Sequence, residues 1–293
     1  MDTHQIALLK ESIESKSIEI QDPADREVRV LKERDALALS QQYDAHLSKI
    51  YIEALKINIC PYRYLRNRES ISINEQLKLA QSKVSVIGSG GLGGSIILIL
   101  ARLGIGGLVI IDHDVFDETN LNRQAISSTA VLGISKCEEA ERMVKNINPG
   151  IIITSHNKKL KPNTAVEVLE GCHVAVDALD NIADRFILEK AVKTLNIPMV
   201  HGAVAGFSGQ VMTIFPEDNG LEAIYGKQPA RTTDSDRPEA LMGVPAVTPS
   251  IIASYQAMEV VKILLNKGNL FRNCLLYIDL ESGQLDRLSF KIN

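Results

Sequence analysis

From Val84 onward the chain alternates two kinds of apolar pattern. Short β-rich runs (VSVIG, LVIID, IIITS, HVAVDA, PMVHGA and VMTIF) are separated by segments with apolar residues at helical spacing, such as SKCEEAERMVKNIN and NIADRFILEKAVKTLN. That alternation predicts parallel strands with crossover helices on both faces of a sheet, because a parallel neighbour is reached only by a crossover connection. Asn148-Pro149-Gly150 and Asn196-Ile197-Pro198 stand where the helices must stop, since proline cannot continue a helix and biases its predecessor away from one. The expected class is α/β, with a doubly wound, mostly parallel sheet.

Three regions break the rhythm. Residues 1–75 are rich in Glu, Lys, Arg, Gln and Leu, contain no glycine, and offer a helix start at Asp22-Pro23, so a helical N-terminal extension is expected. Residues 76–293 would form the main domain. Between about Pro216 and Val247, turn formers and weak periodicity predict a long loop of the kind that covers or binds a ligand, before an apolar-striped helix resumes at TPSIIASYQAMEVVKILLNKG. The closing CLLYIDLESGQLDRLSF reads as a hairpin.

Composition narrows the function classes. With 45% apolar and 23% charged residues the chain is globular, and a formal charge of −4 argues against nucleic acid or an acidic membrane as the main partner. The N-terminus lacks the pattern of a secretory signal, and no uncharged run approaches the roughly 18 residues of a membrane span, so a cytoplasmic protein is expected. Four dispersed cysteines, Cys60, Cys137, Cys172 and Cys274, form no C-x-x-C pair, so no structural zinc is expected.

The candidate chemistry begins at VIGSGGLGGS. Gly88, Gly90 and Gly93 satisfy G-x-G-x-x-G between a strand and a helix, with Gly91 inside the turn, and Asp112 ends the next strand about 20 residues on. This is a Rossmann-like nucleotide fingerprint, in which glycines let the backbone approach a phosphate and the acid accepts hydrogen bonds from ribose hydroxyls. By itself it does not separate a nicotinamide, a flavin and ATP. Asn120, Arg123 and Gln124 follow the acid in a polar loop, Lys136 opens a helix, and Asp180-Asn181 follows HVAVDA. Each has an ordinary alternative, as solvated side chain or helix cap, but together they fall beyond the C-terminal ends of strands, where open α/β sheets bind ligands. Cationic groups there suit the charge that develops on phosphates, and a carboxylate can hold magnesium.

GSGGLGG, IDHDVFDETNLNRQ, GISKCEEAERMVKNINP, VDALDNIADR and GVPAVTPSIIASYQAMEVVKILL resemble the ThiF/MoeB/HesA adenylyltransferases of thiamine and molybdopterin biosynthesis, relatives of the adenylation half of ubiquitin-activating enzymes. The resemblance covers roughly residues 62–292 and makes residues 76–293 an ATP-binding adenylation domain. It implies that Asp112 holds the ATP ribose, that Asn120, Arg123 and Lys136 hold the phosphates, with Gln124 and Asn181 beside the nucleotide, and that Asp180 holds magnesium. Arg66, in YRYLRNRE, matches an arginine that reaches into the partner subunit's site, which implies a homodimer and a catalytic set of Arg66, Arg123, Lys136 and Asp180. The implied reaction adenylates the C-terminal glycine of a small ubiquitin-like sulfur-carrier protein ending in Gly-Gly. Relatives that pass the activated carrier to their own thiol use a cysteine in the long loop, and residues 208–273 contain none, so the resemblance implies adenylation without sulfur transfer by this chain. A peptide C-terminus or a modified tRNA nucleoside as acceptor, a scaffold without turnover, and a nicotinamide dehydrogenase remain as alternatives.

Overall fold

The computed structural model describes residues 1–227 and 237–290. They form two compact units, one made of Met1–Ser82 with Ala101–Gly107 and Lys145–Ile152, the other of Lys83–Leu100, Leu108–Val144 and Ile153–Asn293.

The first unit is not purely helical. Besides helices Thr3–Lys16, Glu33–Gln42 and Leu47–Lys56, it holds a three-stranded sheet of β1 (Ile18–Gln21), β2 (Glu27–Leu31) and β3 (Cys60–Pro61), in that order. β1 and β2 pair antiparallel with Ile18 opposite Val30, and β2 and β3 pair parallel. The expected helix start at Asp22-Pro23 is instead the turn of this hairpin. The Asp22 carboxylate accepts from the amides of Ala24 (2.8 Å) and Arg26 (3.1 Å), and Asp25 takes φ +59°. Aspartate bonded to the backbone two residues on is a turn former as readily as a cap, and here the alternating burial of Val28 and Val30 decides for strand. The strands and helices close over Leu9, Ile13, Val30, Leu39, Ile50 and Tyr64.

The large sheet runs in the order β11-β10-β9-β8-β7-β4-β5-β6. Its strands are β4 (Lys83–Ile87), β5 (Gly107–Asp112), β6 (Ile152–Asn157), β7 (Val174–Asp177), β8 (Met199–Ala205), β9 (Ser208–Ile214), β10 (Cys274–Asp279) and β11 (Gln284–Ser289). β4 pairs parallel with β7, and β7 with β8, while β9, β10 and β11 continue the sheet antiparallel, β10 and β11 as the expected hairpin. The core around β4, β5 and β7 buries Ile87, Val109, Ile111, Ala175, Leu188 and Met199. Helix Ile182–Leu195 ends on Asn196 and helix Val247–Leu265 on Asn266, both left-handed caps. The chain leaves β4 for β5 on one side and returns to β7 on the other, so the sheet has its switch point at the glycine turn that follows β4.

The long loop contains two short helices, Glu222–Tyr225 and Pro238–Met242. The covering or binding role expected for the loop from about Pro216 to Val247 falls in part on residues 228–236, outside the described residues. Among the described residues no helix is long and apolar enough to cross a membrane.

Candidate functional site

β4 ends in the glycine turn, and the turn's geometry explains its composition. Gly88 has φ +91°, and a Cβ there would stand 2.5 Å from the Ala178 carbonyl oxygen, while a Cβ on Gly93 would collide with the carbonyl of Gly88. These two glycines therefore bring the turn against the loop that follows β7. Gly90 and Gly91 meet lighter contacts, Gln124 Nε2 at 3.6 Å from the first and the Arg123 Cγ at 3.7 Å from the second. The turn, the Arg123 loop and the Asp180 loop thus converge at the switch point.

Asp112 closes β5 and is half-buried. Its Oδ2 accepts from the Ser89 amide (2.6 Å) and hydroxyl (3.1 Å), and its Oδ1 from the Asp114 amide (2.9 Å). The strand-end acid therefore shapes the glycine turn. Lys136 begins helix Lys136–Ile147, is only 6% exposed, and donates to Asp114 Oδ2 at 2.9 Å. A buried ammonium needs such a partner. Asp112, His113 and Asp114 bring one ligand atom each within 4.8 Å of one another, but Lys136 already neutralises Asp114 there.

Asn120 is buried in the one-turn helix Glu118–Asn120, where its Oδ1 accepts from the Asp117 amide at 3.1 Å. Arg123 Nη1 donates to Thr119 O and to Asn122 Oδ1, each at 2.8 Å, which aims the guanidinium from its loop. Gln124 is 6% exposed, and its Oε1 has no hydrogen-bond partner among the described residues. A buried amide oxygen of this kind is satisfied when a water or a polar ligand group reaches it. Asp180 has a side chain 78% exposed, a hard oxygen donor open to a hydrated cation. Asn181 caps helix Ile182–Leu195, accepting from the Asp184 amide at 2.8 Å and donating to Asp184 Oδ2 and to Asp180 Oδ1. Its amide is thus committed to the cap and to orienting Asp180. Arg66 lies in the first unit, in the 3-10 helix Tyr62–Asn67, bordering a depression of about 200 Å³ with Arg26 and Arg68.

Behind the Asp180 loop lies a group of ionisable residues that sequence analysis did not single out. Asp177 and His201 are fully buried, 2.7 Å apart from Oδ2 to Nδ1, and Arg185 is 7% exposed. Burial pushes the His201 pKa down despite the neighbouring carboxylate. The available signal was polarity inside apolar strands, the aspartate of HVAVDA and the histidine of PMVHGA. Burial also holds the thiols protonated, pushing Cys60 up to about 11 and Cys137 up to about 12.

Comparison with known proteins follows the same lines. A model of the ThiF family matches residues 64–292. The SAMP-activating enzyme E1 of Haloferax volcanii is 32% identical over 79% of this chain and 86% of its own length. An adenylyltransferase and sulfurtransferase MOCS3-2 of Zea mays is 33% identical over 76% of this chain and 47% of its own, so the chain spans about half the length of that relative. Among solved structures, PaaA matches with TM-score 0.65 at 18% identity over 95% of this chain and 100% of that one. E. coli MccB with ATP matches with TM-score 0.66 at 20% identity over 89% and 80%. At those identities the structures establish a common fold.

Proposed function

The chain belongs to the ThiF family and is an adenylyltransferase, and from that premise we propose that it uses ATP and magnesium to adenylate the C-terminal glycine carboxylate of a small ubiquitin-like sulfur-carrier protein ending in Gly-Gly. The observation that carries the proposal is the convergence of the glycine turn with the Arg123 and Asp180 loops at the sheet's switch point. The names of the relatives, SAMP-activating enzyme E1 and adenylyltransferase, support an acceptor of this class.

The chemistry asks little acid or base of the protein. A glycine carboxylate is ionised at neutral pH, and its oxygen attacks the α-phosphorus while the bond to the bridging oxygen breaks and pyrophosphate leaves. The residues supply alignment and charge: Asp112 holds the ribose, the turn amides and Arg123 cradle the phosphates, and Lys136 exchanges part of its pairing with Asp114 for a phosphate oxygen. Magnesium, held through Asp180, neutralises phosphate charge when bound. The proposal is limited to adenylation, since residues 208–273 hold no cysteine and the Cys60 and Cys137 thiols are held protonated.

The test is ATP–pyrophosphate exchange with candidate carriers. Exchange should require a carrier with its terminal glycines intact, and the chain should bind ATP with magnesium more tightly than NAD. Exchange driven by a peptide or tRNA but by no Gly-Gly carrier would replace the acceptor, and preferential NAD binding would end the assignment.

The same reading assigns Arg66 to the neighbouring subunit of a homodimer. Mixing Arg66→Ala and Asp180→Ala homodimers, each strongly impaired alone, should then raise activity after subunit exchange, because one composite site regains both residues. No recovery after demonstrated exchange would remove the shared site.

A further inference from the structure

A closed ring of hydrogen bonds runs behind the Asp180 loop. The Asp177 carboxylate accepts from the Leu179 amide (Oδ1, 3.0 Å), and Arg185 Nη2 donates to the Leu179 carbonyl at 2.7 Å. Arg185 Nη1 donates to the Tyr225 hydroxyl at 2.6 Å, which lies 3.3 Å from His201 Nε2. His201 Nδ1 completes the ring on Asp177 Oδ2. With the imidazole neutral, Nδ1–H donates to the carboxylate and Nε2 accepts from the Tyr225 hydroxyl, so the direction of every bond in the ring is consistent. Gln210 Nε2 lies 3.0 Å from the Tyr225 hydroxyl and 3.1 Å from His201 Nε2, so the imidazole nitrogen accepts from both side chains.

This ring joins two elements that are separate in sequence. Leu179 precedes Asp180, and its carbonyl belongs to the peptide bond joining the two residues. Tyr225 closes the short helix Glu222–Tyr225 that follows β9. At the other end of that loop Arg237 Nη1 stands 3.9 Å from Asp180 Oδ2.

The ring is a costly way to pack a core. Each buried ion carries a desolvation penalty of several kcal/mol, and apolar residues of similar volume often serve stability as well or better. Among the described residues Arg185 Nε is buried without a hydrogen-bond partner, 3.8 Å from Asp177 Oδ2. What the ionic ring provides that an apolar core does not is a defined place for the 179–180 peptide, held at its carbonyl by a residue that also holds Tyr225.

We propose that Arg185 and Tyr225 are positioning residues for adenylation, tying the helix Glu222–Tyr225 to the Leu179–Asp180 peptide so that the Asp180 carboxylate is presented to magnesium in one geometry. The proposal rests on the adenylation reading for the role of Asp180, and the ring itself is independent of it.

The test uses the full chain with Tyr225→Phe, which removes one hydroxyl, and Arg185→Lys, which keeps the charge but loses the two-armed bridge. Both should raise the magnesium concentration for half-maximal ATP–pyrophosphate exchange, by about tenfold for Tyr225→Phe, the scale of one ordinary hydrogen bond, and further for Arg185→Lys. The KM for ATP at saturating magnesium should move much less. Hydrogen exchange at the Leu179 amide should quicken selectively, and adding Tyr225→Phe to Asp180→Ala should cost no further activity, since the effect passes through Asp180. Parental magnesium dependence with parental Leu179 exchange would overturn the proposal. So would uniformly faster exchange across the unit with magnesium dependence unchanged, the result of a structural role alone. If the unaltered chain shows no carrier-dependent exchange, the adenylation reading fails, and selective Leu179 exchange in Tyr225→Phe still decides whether the ring positions that peptide.

Discussion

The loops after β5 and after β7 begin alike and diverge. Each strand delivers an aspartate at its C-terminal end. Asp112 is half-buried, and its carboxylate is divided between Ser89 of the glycine turn and the amide of its own loop. Asp177 is fully buried, covered by His201 from the next strand and Arg185 from the following helix. The same residue type at a strand's end holds the glycine turn in one loop and is sealed among backbone and ionic partners in the other. In the second loop the exposed acid is Asp180, farther along the chain. Depth, set by what neighbouring elements contribute, decides the role.

The comparison is broken most directly at Asp177. Asp177→Ala should lower the unfolding free energy by about 3–5 kcal/mol, because it leaves Arg185 buried without its carboxylate. Urea denaturation reads this, and a loss below about 1 kcal/mol would place Asp177 with the solvated loop acids. Exposed Asp180 should show the opposite profile. Asp180→Ala and Arg123→Ala should each lower adenylation by about 10²- to 10³-fold with the unfolding midpoint retained, and Lys136→Ala should lose activity on a similar scale. Variants that exchange pyrophosphate at the parental rate would show these residues to be ordinary loop positions.

Between the two loops stands Gly88. Its positive φ and the approach of Ala178 make Gly88→Ala cost at least about 1–3 kcal/mol and weaken ATP binding, since the turn must shift. Calorimetry showing unchanged ATP affinity and stability would mean that the turn yields freely.

The smallest effect is a pH dependence. Burial lowers the His201 pKa below its unfolded value of about 6.5, so the folded state binds fewer protons between the two values. Its contribution is complete above pH about 6.5 and falls on acidification, by at most about 1.4 kcal/mol per pH unit. His156 is lowered in the same sense, so the measurement is the difference between the parent and His201→Gln from pH 7 to 5. The Asp22 carboxyl, held at about 2 chiefly by Arg26, contributes above about pH 3.8 and loses that contribution as pH falls toward 2, outside this window. Equal pH slopes in the two proteins would assign the titration elsewhere.

Much of this molecule was legible in the chain. The β-rich apolar runs and the helical segments between them located the strands from β4 to β9, proline and asparagine marked the helix ends, and the glycine run marked the turn at the sheet's switch point. The N-terminal segment departs from its expected helical form where it is least periodic. β1 and β2 are four and five residues long, and the Asp22 turn between them carries the same residues that open a helix.

By itself the sequence determined the alternation of elements, the backbone turn that only glycine permits, and the inventory of charges after β5 and β7, because these depend on local sterics and on residue type. Tertiary structure alone decided which charges stay open to solvent and which are sealed. Asp177, Arg185, His201 and Tyr225 come from four separate segments, and no local pattern records that they meet. Their roles arise from shared burial, where a low dielectric makes each group depend on partners distant in sequence.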